Sequence, residues 1–263
     1  MKILVTNDDG IYAPGLWALV QELMQIGDIL VVAPEQDQTG AGTAVSLIQP
    51  VKLTKAKPAI PGIETYAIKG TPSDSVLLAL GSVAKDKIDL VISGINRGAN
   101  LGYDILISGT VGAALQGYFH GIPAIAISVL YRTEARFDVA AKLGALLAQR
   151  ISDKALPEEG LLLNVNLPSL PIEEINGIEV TRLGQLGFKE NIKWEHADKA
   201  KRGYYRIVRD KPQASEEQGT DVWAVRKGMI SITPLHGNLT GQSPPSLKEL
   251  CQPLFLVLRQ GLT

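Results

Sequence analysis

Cysteine is almost missing from this sequence, and Cys251 stands alone. An internal disulfide is thereby excluded, and one thiol suits a reducing compartment; Cys251 reads as a packed core thiol and not as a nucleophile. An excess of one charge is missing too, since 26 basic and 27 acidic side chains leave a net charge of −1. That balance offers no electrostatic handle for long nucleic acid or an anionic membrane. No run of roughly 18 uncharged apolar residues occurs, so no membrane span is expected. No basic segment followed by an apolar stretch opens the chain, so no signal peptide is expected and the protein reads as cytoplasmic. Internal repeats and low-complexity linkers are absent as well. What remains is 263 residues, 45% hydrophobic and 20% charged, an ordinary composition for one large α/β domain or a domain with an appendage.

The first fifteen residues set the organisation. Ile3, Leu4 and Val5 form a short apolar run that ends in Thr6-Asn7-Asp8-Asp9-Gly10, and Pro14 then opens an apolar-periodic helix through Leu16, Leu19, Val20 and Leu23. Strand, polar turn and helix begin an α/β unit, whose ligands bind beyond the carboxyl ends of the strands. Adjacent carboxylates at that place repel unless a positive charge lies beside them, and a divalent cation prefers such hard oxygen ligands. Taken alone, Asp-Asp-Gly is equally a solvated turn.

Asp28–Ala33 repeats the apolar strand, and two such strands around a helix argue a parallel sheet with both faces covered. The loop Glu35–Thr43 leaves the same rim; Thr39 offers a hydroxyl, and Gly40 and Gly42 let backbone amides approach a ligand. Ala44–Ile48, Val51–Lys55 and Glu64–Ile68 read as short strands at the sheet edge. Thr71 and Pro72 open another helix. Ile88–Ser93 is a buried strand followed by Gly94–Asp104, a loop with three glycines, two asparagines (Asn96 among them) and Arg97, a density that points to function. Ser108-Gly109-Thr110 heads a helix from Val111 to His120 and presents free N–H groups, hydroxyls and the positive helix end, which favour phosphate. Ala124–Val129 and Leu161–Pro168 continue the strands around a long amphipathic helix, Glu134–Ile151. Beyond about residue 170 the pattern changes. Gly177–Leu183, Tyr204–Arg209, Val222–Val225, Met229–Thr233 and the final Leu254–Leu258 read as strands, and the charged stretch Lys189–Arg202, with Trp194 and His196, as a solvated or subunit-contacting arm.

Four strand ends thus converge on one rim, bringing Asp8, Asp9, Thr39, Asn96 and Ser108–Thr110 together. Carboxylates, a hydroxyl and an amide oxygen suit Mg2+, Mn2+ or Ca2+ and not structural zinc. At this point the motifs ILVTNDDG, APEQ-x-Q-T-G-x-G, GTP-x-D, DLVISGINRGANLG, SGTVGAA, LNVNLP and ISITPL resemble the SurE (survival protein E) family of metal-dependent nucleotidases, in order and along nearly the whole chain. The resemblance implies a Rossmann-like, mostly parallel sheet with helices on both faces over about residues 1–170. A strand-rich C-terminal extension, about 171–263, would exchange between subunits of a homodimer or homotetramer. It also implies one divalent cation (Mg2+, Mn2+ or similar) per subunit, held by Asp8, Asp9, Thr39 and Asn96. Phosphate and substrate are then expected at Asn7, Gly40, Arg97, Ser108, Gly109 and Thr110. Two departures from the family pattern stand out: Thr39 replaces a usual serine, and Ile107 a common tyrosine.

The implied reaction is hydrolysis of nucleoside monophosphates, as 5′- and 3′-esters, to nucleoside and phosphate, with short polyphosphate as a side substrate and Asp8, Asp9 and Asn96 as the catalytic set. An aspartyl-phosphate route like that of the haloacid-dehalogenase phosphatases needs two aspartates one residue apart, whereas here they adjoin. A signalling receiver domain needs an acceptor aspartate at a later central strand, which here ends in Ile92-Ser93-Gly94-Ile95-Asn96. A passive nucleotide-binding module differs from an enzyme by its lack of turnover.

Overall fold

The computed structural model describes residues 1–130, 135–156, 160–187, 190–197, 203–209, 213–214, 217–240 and positions 253–255, 257 and 259. In chain order the strands are β1 (Lys2–Thr6), β2 (Asp28–Pro34), β3 (Lys52–Lys55), β4 (Glu64–Lys69), β5 (Leu90–Arg97), β6 (Ala124–Leu130), β7 (Leu162–Pro168), β8 (Ile178–Val180), β9 (Leu186–Gly187), β10 (Glu190–Ala197), β11 (Gly203–Arg209), β12 (Gln213–Ala214) and β13 (Ile230–Pro234). The helices are α1 (Pro14–Leu23), α2 (Pro72–Leu78), α3 (Gly109–Phe119), α4 (Phe137–Ser152) and α5 (Asp221–Arg226). A 3-10 turn spans Gly102–Leu106.

Among the described residues nine strands make one sheet in the order β3-β4-β2-β1-β5-β6-β7-β13-β8. The run from β4 to β7 is parallel throughout. Parallel strands with helices on both faces must be apolar on both sides, and β1, β2, β5, β6 and β7 are buried along nearly their whole length. Alternate residues serve opposite cores. Ile3, Val5, Ile29, Val31 and Ile92 pack with Leu16, Leu19, Ala141 and Ala148 of α1 and α4. Leu4, Leu30, Val32 and Val91 pack with Val76 of α2 and Val111 and Ala114 of α3. The chain builds outward from β1 through β2 to β4, then returns to the other side of β1 as β5. That reversal of winding opens a crevice at the carboxyl ends of β1 and β5.

β5 is irregular where it matters. Ser93 pairs with Ala126, but Asn96 pairs with Ser128, so β5 spends one extra residue against β6. A bulge of this kind bends a strand and re-aims its side chains. It carries the strand four residues past the expected end at Ser93, out to Arg97. The bulge seats against α1, where a methyl on Gly15 would lie 2.1 Å from the Ile95 carbonyl oxygen.

Several expectations change. Ala44–Ile48 is not a strand: Ser46 donates its N–H and hydroxyl to the two Asp74 oxygens at 2.8 and 2.7 Å, and Leu47 and Ile48 stay exposed. Val222–Val225 is helical, because Thr220 accepts the Trp223 N–H and caps α5; a four-residue apolar run does not distinguish helix from strand. The charged stretch after residue 189 contains β10, which pairs antiparallel with β11. Positions 253–255 are helical where a strand was expected. Cys251, and Glu134 of the expected long helix, lie outside the described residues. Beyond residue 170 the chain also returns to the main sheet, β13 running antiparallel to β7 and β8 parallel to β13. Among the described residues no helix is long and apolar enough to cross a membrane.

Gly15→Ala therefore pushes α1 off the bulge and should cost about 1–3 kcal/mol, as overpacking does, read as a lower Tm. An unchanged Tm would show that α1 does not seat on Ile95.

Candidate active site

Asp8 lies just beyond β1, almost fully buried, and accepts a 2.6 Å hydrogen bond from the Thr110 hydroxyl across 102 residues of sequence. Thr110 is in the first turn of α3, whose cap is Ser108, its Oγ accepting the Val111 N–H at 3.1 Å. Between them Gly109 packs flat on the acid: a methyl there would meet Asp8 Cβ at 2.8 Å and Asp8 Oδ2 at 3.0 Å. The N-terminus of α3 is thus pressed against the first carboxylate. Asp9 is half-buried and accepts the Arg97 N–H at 3.1 Å, which fastens it to the end of β5.

The loop after β2 closes the third side. Its Gln38 N–H donates to the Asp8 carbonyl at 2.8 Å, and its Gly42 N–H to the Ile107 carbonyl at 3.0 Å. Gly42 has φ +59, and a methyl on Gly112 would sit 2.2 Å from the Gly42 oxygen, so this loop lies directly on α3. Thr39 is exposed and donates its hydroxyl to Asp37 at 2.6 Å. Gly40, at φ +81, has open space among the described residues where a side chain would be. Asn96 donates its amide nitrogen to the Gly98 carbonyl at 2.7 Å, which leaves its carbonyl oxygen as the acceptor. Asn7 is fully buried and donates to the Gly10 carbonyl at 3.0 Å. Ile107 stands partly exposed on the rim beside Gly42.

Electrostatically this corner gathers negative charge that Arg97 and the start of α3 offset in part. Burial, reinforced by the Asp9 charge, pushes the Asp8 carboxyl up to about 6 against the pull of the Thr110 hydroxyl. Asp9 is raised by burial and by Asp37, and lowered by the N–H and guanidinium of Arg97. Thr6 and Ser93, paired in register at the base of the crevice, bury hydroxyls that have no partner among the described residues, as does the Asn7 Oδ1 atom. Buried polar groups without a partner are few in folded proteins, and each calls for an explanation. Among the described residues no three of His, Cys, Asp and Glu gather as a metal-binding group. A cation here would take two carboxylates completed by neutral oxygens, which is the preference of a hard divalent ion. The Thr39 and Asn96 hydrogen bonds leave oxygen lone pairs for that purpose.

The structure therefore brings Asp8, Asp9, Gly109 and Thr110 into contact with one another or with the backbone of Arg97, places Thr39 and Gly40 on a loop fastened to that cluster, and puts Asn96 at the end of β5. Sequence reasoning missed Asp37, which binds both the N–H and the hydroxyl of Thr39; an acidic residue two positions before a threonine in a glycine-rich loop is the available signal. It also missed the clamp on the long loop after β5. Asn100 receives hydrogen bonds from the amides of Asn164 and Asn166 and donates to Asn166 and Ser128.

Comparison with known proteins gives a family. The family model described as Survival protein SurE matches residues 3–190. A 5′-nucleotidase SurE of Dehalococcoides mccartyi strain CBDB1 is 45% identical over 251 residues, covering 95% of this chain and 94% of that protein. One from Heliobacterium modesticaldum is 42% identical over 243 residues, covering 92% and 89%. The crystal structure of the SurE protein from Aquifex aeolicus matches with a TM-score of 0.77 and 37% identity, covering 97% of this chain and 99% of that one.

Since the Asp8 carboxyl is raised, the folded chain holds that proton more tightly than the unfolded chain, and stability from this group is complete below about pH 4 and lost as pH rises through about 6. Asp8→Asn keeps an oxygen for Thr110 without the charge. In chelator-treated protein at pH 8 it should be more stable than the parent by about 2–3 kcal/mol, with the gain gone at about pH 4. Denaturant melts across pH check this, and a pH-independent difference would contradict the buried charge.

Proposed function

The chain belongs to the Survival protein SurE family and is a 5′-nucleotidase, and we propose that it hydrolyses nucleoside monophosphates in the β1–β5 crevice with a divalent cation. The observation that carries the placement is the Thr110–Asp8 hydrogen bond, which joins an acidic pair to the N-terminus of a helix. Asp8, Asp9, Thr39 and Asn96 would hold the cation. When bound, a divalent ion of the Mg2+ or Mn2+ type supplies charge that polarises a phosphoryl oxygen and makes water more acidic.

The other steps fall to the chain's own groups. The free N–H groups at the start of α3 and the Ser108–Gly109–Thr110 turn receive the phosphate oxygens, with the helix end favouring their charge. Arg97 and Asn96, from the bulged end of β5, add donors on the opposite side, so that charge gathering on the phosphoryl group meets fixed dipoles. Asn7 and Gly40 border the same space. Asp9, half-buried, is the carboxylate more open to water and orients the attacking molecule, whereas Asp8 is almost fully buried beside Gly109. The acceptor range extends to 3′-esters and short polyphosphate in this reading, and Ile107 on the rim leaves more room than a tyrosine would.

The hairpin β10–β11 exposes Ile192, Trp194, Tyr204, Tyr205 and Ile207, each 45–70% accessible. A patch of that kind on a soluble domain calls for a covering partner, and we assign it to association of subunits, as dimer or tetramer, through the C-terminal extension. A single cysteine suits a reducing compartment, and we assign the protein to the cytoplasm.

Two measurements test this reading. Phosphate release from nucleoside monophosphates should require Mg2+ or Mn2+, stop with chelator, and fall about 100-fold or more in Asp8→Asn and Asp9→Asn; full activity in both variants would remove the site. Light scattering should return a dimer or tetramer, and a monodisperse monomer would end the assignment of the hairpin.

A further inference from the structure

A second buried aspartate lies outside the crevice. Asp221 begins α5, after the cap residue Thr220, and is fully buried. Its Oδ2 accepts the Gly102 N–H at 2.7 Å, and its Oδ1 accepts the N–H groups of Gly184 and Val222, each at 2.8 Å. The Asp221 N–H in turn donates to the Arg182 carbonyl at 2.9 Å. One carboxylate thus ties together three segments, two of them 37 and 119 residues away in sequence.

What Gly102 begins gives this tie its meaning. It starts the 3-10 turn Gly102–Leu106, after which Ile107 receives the Gly42 N–H and Ser108 caps α3. Upstream, the same loop is held at Asn100 by Asn164, Asn166 and Ser128. Downstream of Gly102 the backbone carries the turn's own hydrogen bonds, Asp104 to Leu101 and Ile107 to Asp104, and then the Gly42 N–H at the Ile107 carbonyl. Asp221 therefore anchors the start of the turn that leads to Ile107 at the Thr39 loop and to Gly109–Thr110 at Asp8.

The geometry points to Asp221 as a positioning residue for hydrolysis: from the C-terminal part of the chain it fixes the register of residues 102–110, and through them the phosphate-binding turn and the loop bearing Thr39. It touches no reacting atom. The inference rests on the nucleotidase reading for its kinetic side only. A shift of about an ångström in groups that orient a reactant can cost on the order of 100-fold in rate, so the effect falls on kcat, with substrate affinity changing less.

The test compares full-length parent, Asp221→Asn, Asp221→Glu and Ile151→Ala. Ile151 is buried in the α4 core, and Ile151→Ala supplies a matched loss of stability without touching the loop. Kinetics at saturating Mn2+ and hydrogen exchange of residues 98–107 are measured well below each unfolding temperature. In Asp221→Asn one amide N–H meets a side-chain NH2 in place of an oxygen. Its kcat should fall about 10- to 100-fold with faster exchange in 98–107, while Ile151→Ala keeps the parent's kcat and exchange there. If Asp221→Asn does not fold, Asp221→Glu, which retains both oxygens one methylene further out, should show the same two changes in milder form. A folded Asp221 variant with parental kcat, or an equal fall in Ile151→Ala, overturns the inference. A parent that hydrolyses no nucleoside monophosphate instead defeats the earlier reading, and the exchange comparison then still decides whether Asp221 holds the loop.

Discussion

The hydrogen bond from Thr110 to Asp8 is the constraint on which the site is built. It spans the crevice between β1 and the helix that follows β5, and it sets a carboxylate against the positive end of α3. Gly109 allows the approach, since a side chain there would collide with Asp8. Two adjacent acids, one buried and both raised in pKa, would ordinarily be a poor way to end a strand. Here the helix end offsets part of their charge.

Around that contact the fold arranges backbone more than side chains. The bulge in β5 carries Asn96 and Arg97 past the point where a regular strand would stop, and the Arg97 N–H reaches Asp9. The loop after β2 is fixed by Gln38 and Gly42 through main-chain bonds to Asp8 and Ile107. Positioning by main chain at a reversal of strand order suits phosphoryl transfer, where catalysis is mostly placement and electrostatics.

The parallel sheet and its helices were legible because long apolar runs alternating with amphipathic segments leave few other folds. Asp8, Asp9 and Ser108–Thr110 were legible as well, since each follows a recognisable strand or opens a recognisable helix. What escaped depended on tertiary contacts. Ala44–Ile48 has strand-like composition, but Ser46 is captured by Asp74, a residue 28 positions away. Val222–Val225 is too short for its period to be read, and Thr220 decides it locally. The bulge after Ser93 leaves no mark in composition, because its extra residue is defined only against the partner strand. Asn100, Asn164 and Asn166 gain meaning only when a loop and a strand 64–66 residues apart are brought together.

Burial alone does not separate a functional acid from a structural one. Asp8 and Asp221 are both buried, and burial raises both. Asp221, however, accepts three backbone N–H groups, two of them from residues 37 and 119 positions away, and such bonds favour the ionised form while fixing the chain around it. Asp8 accepts the Thr110 hydroxyl, is stabilised further by the N–H groups of Asp8 and Thr110, and has a second acid beside it that raises it. Among the described residues Asp221 has no second acid raising it, whereas Asp8 has Asp9. Asp8 therefore has binding energy left to give to something from outside, and the unpartnered hydroxyls of Thr6 and Ser93 beneath it carry the same signature.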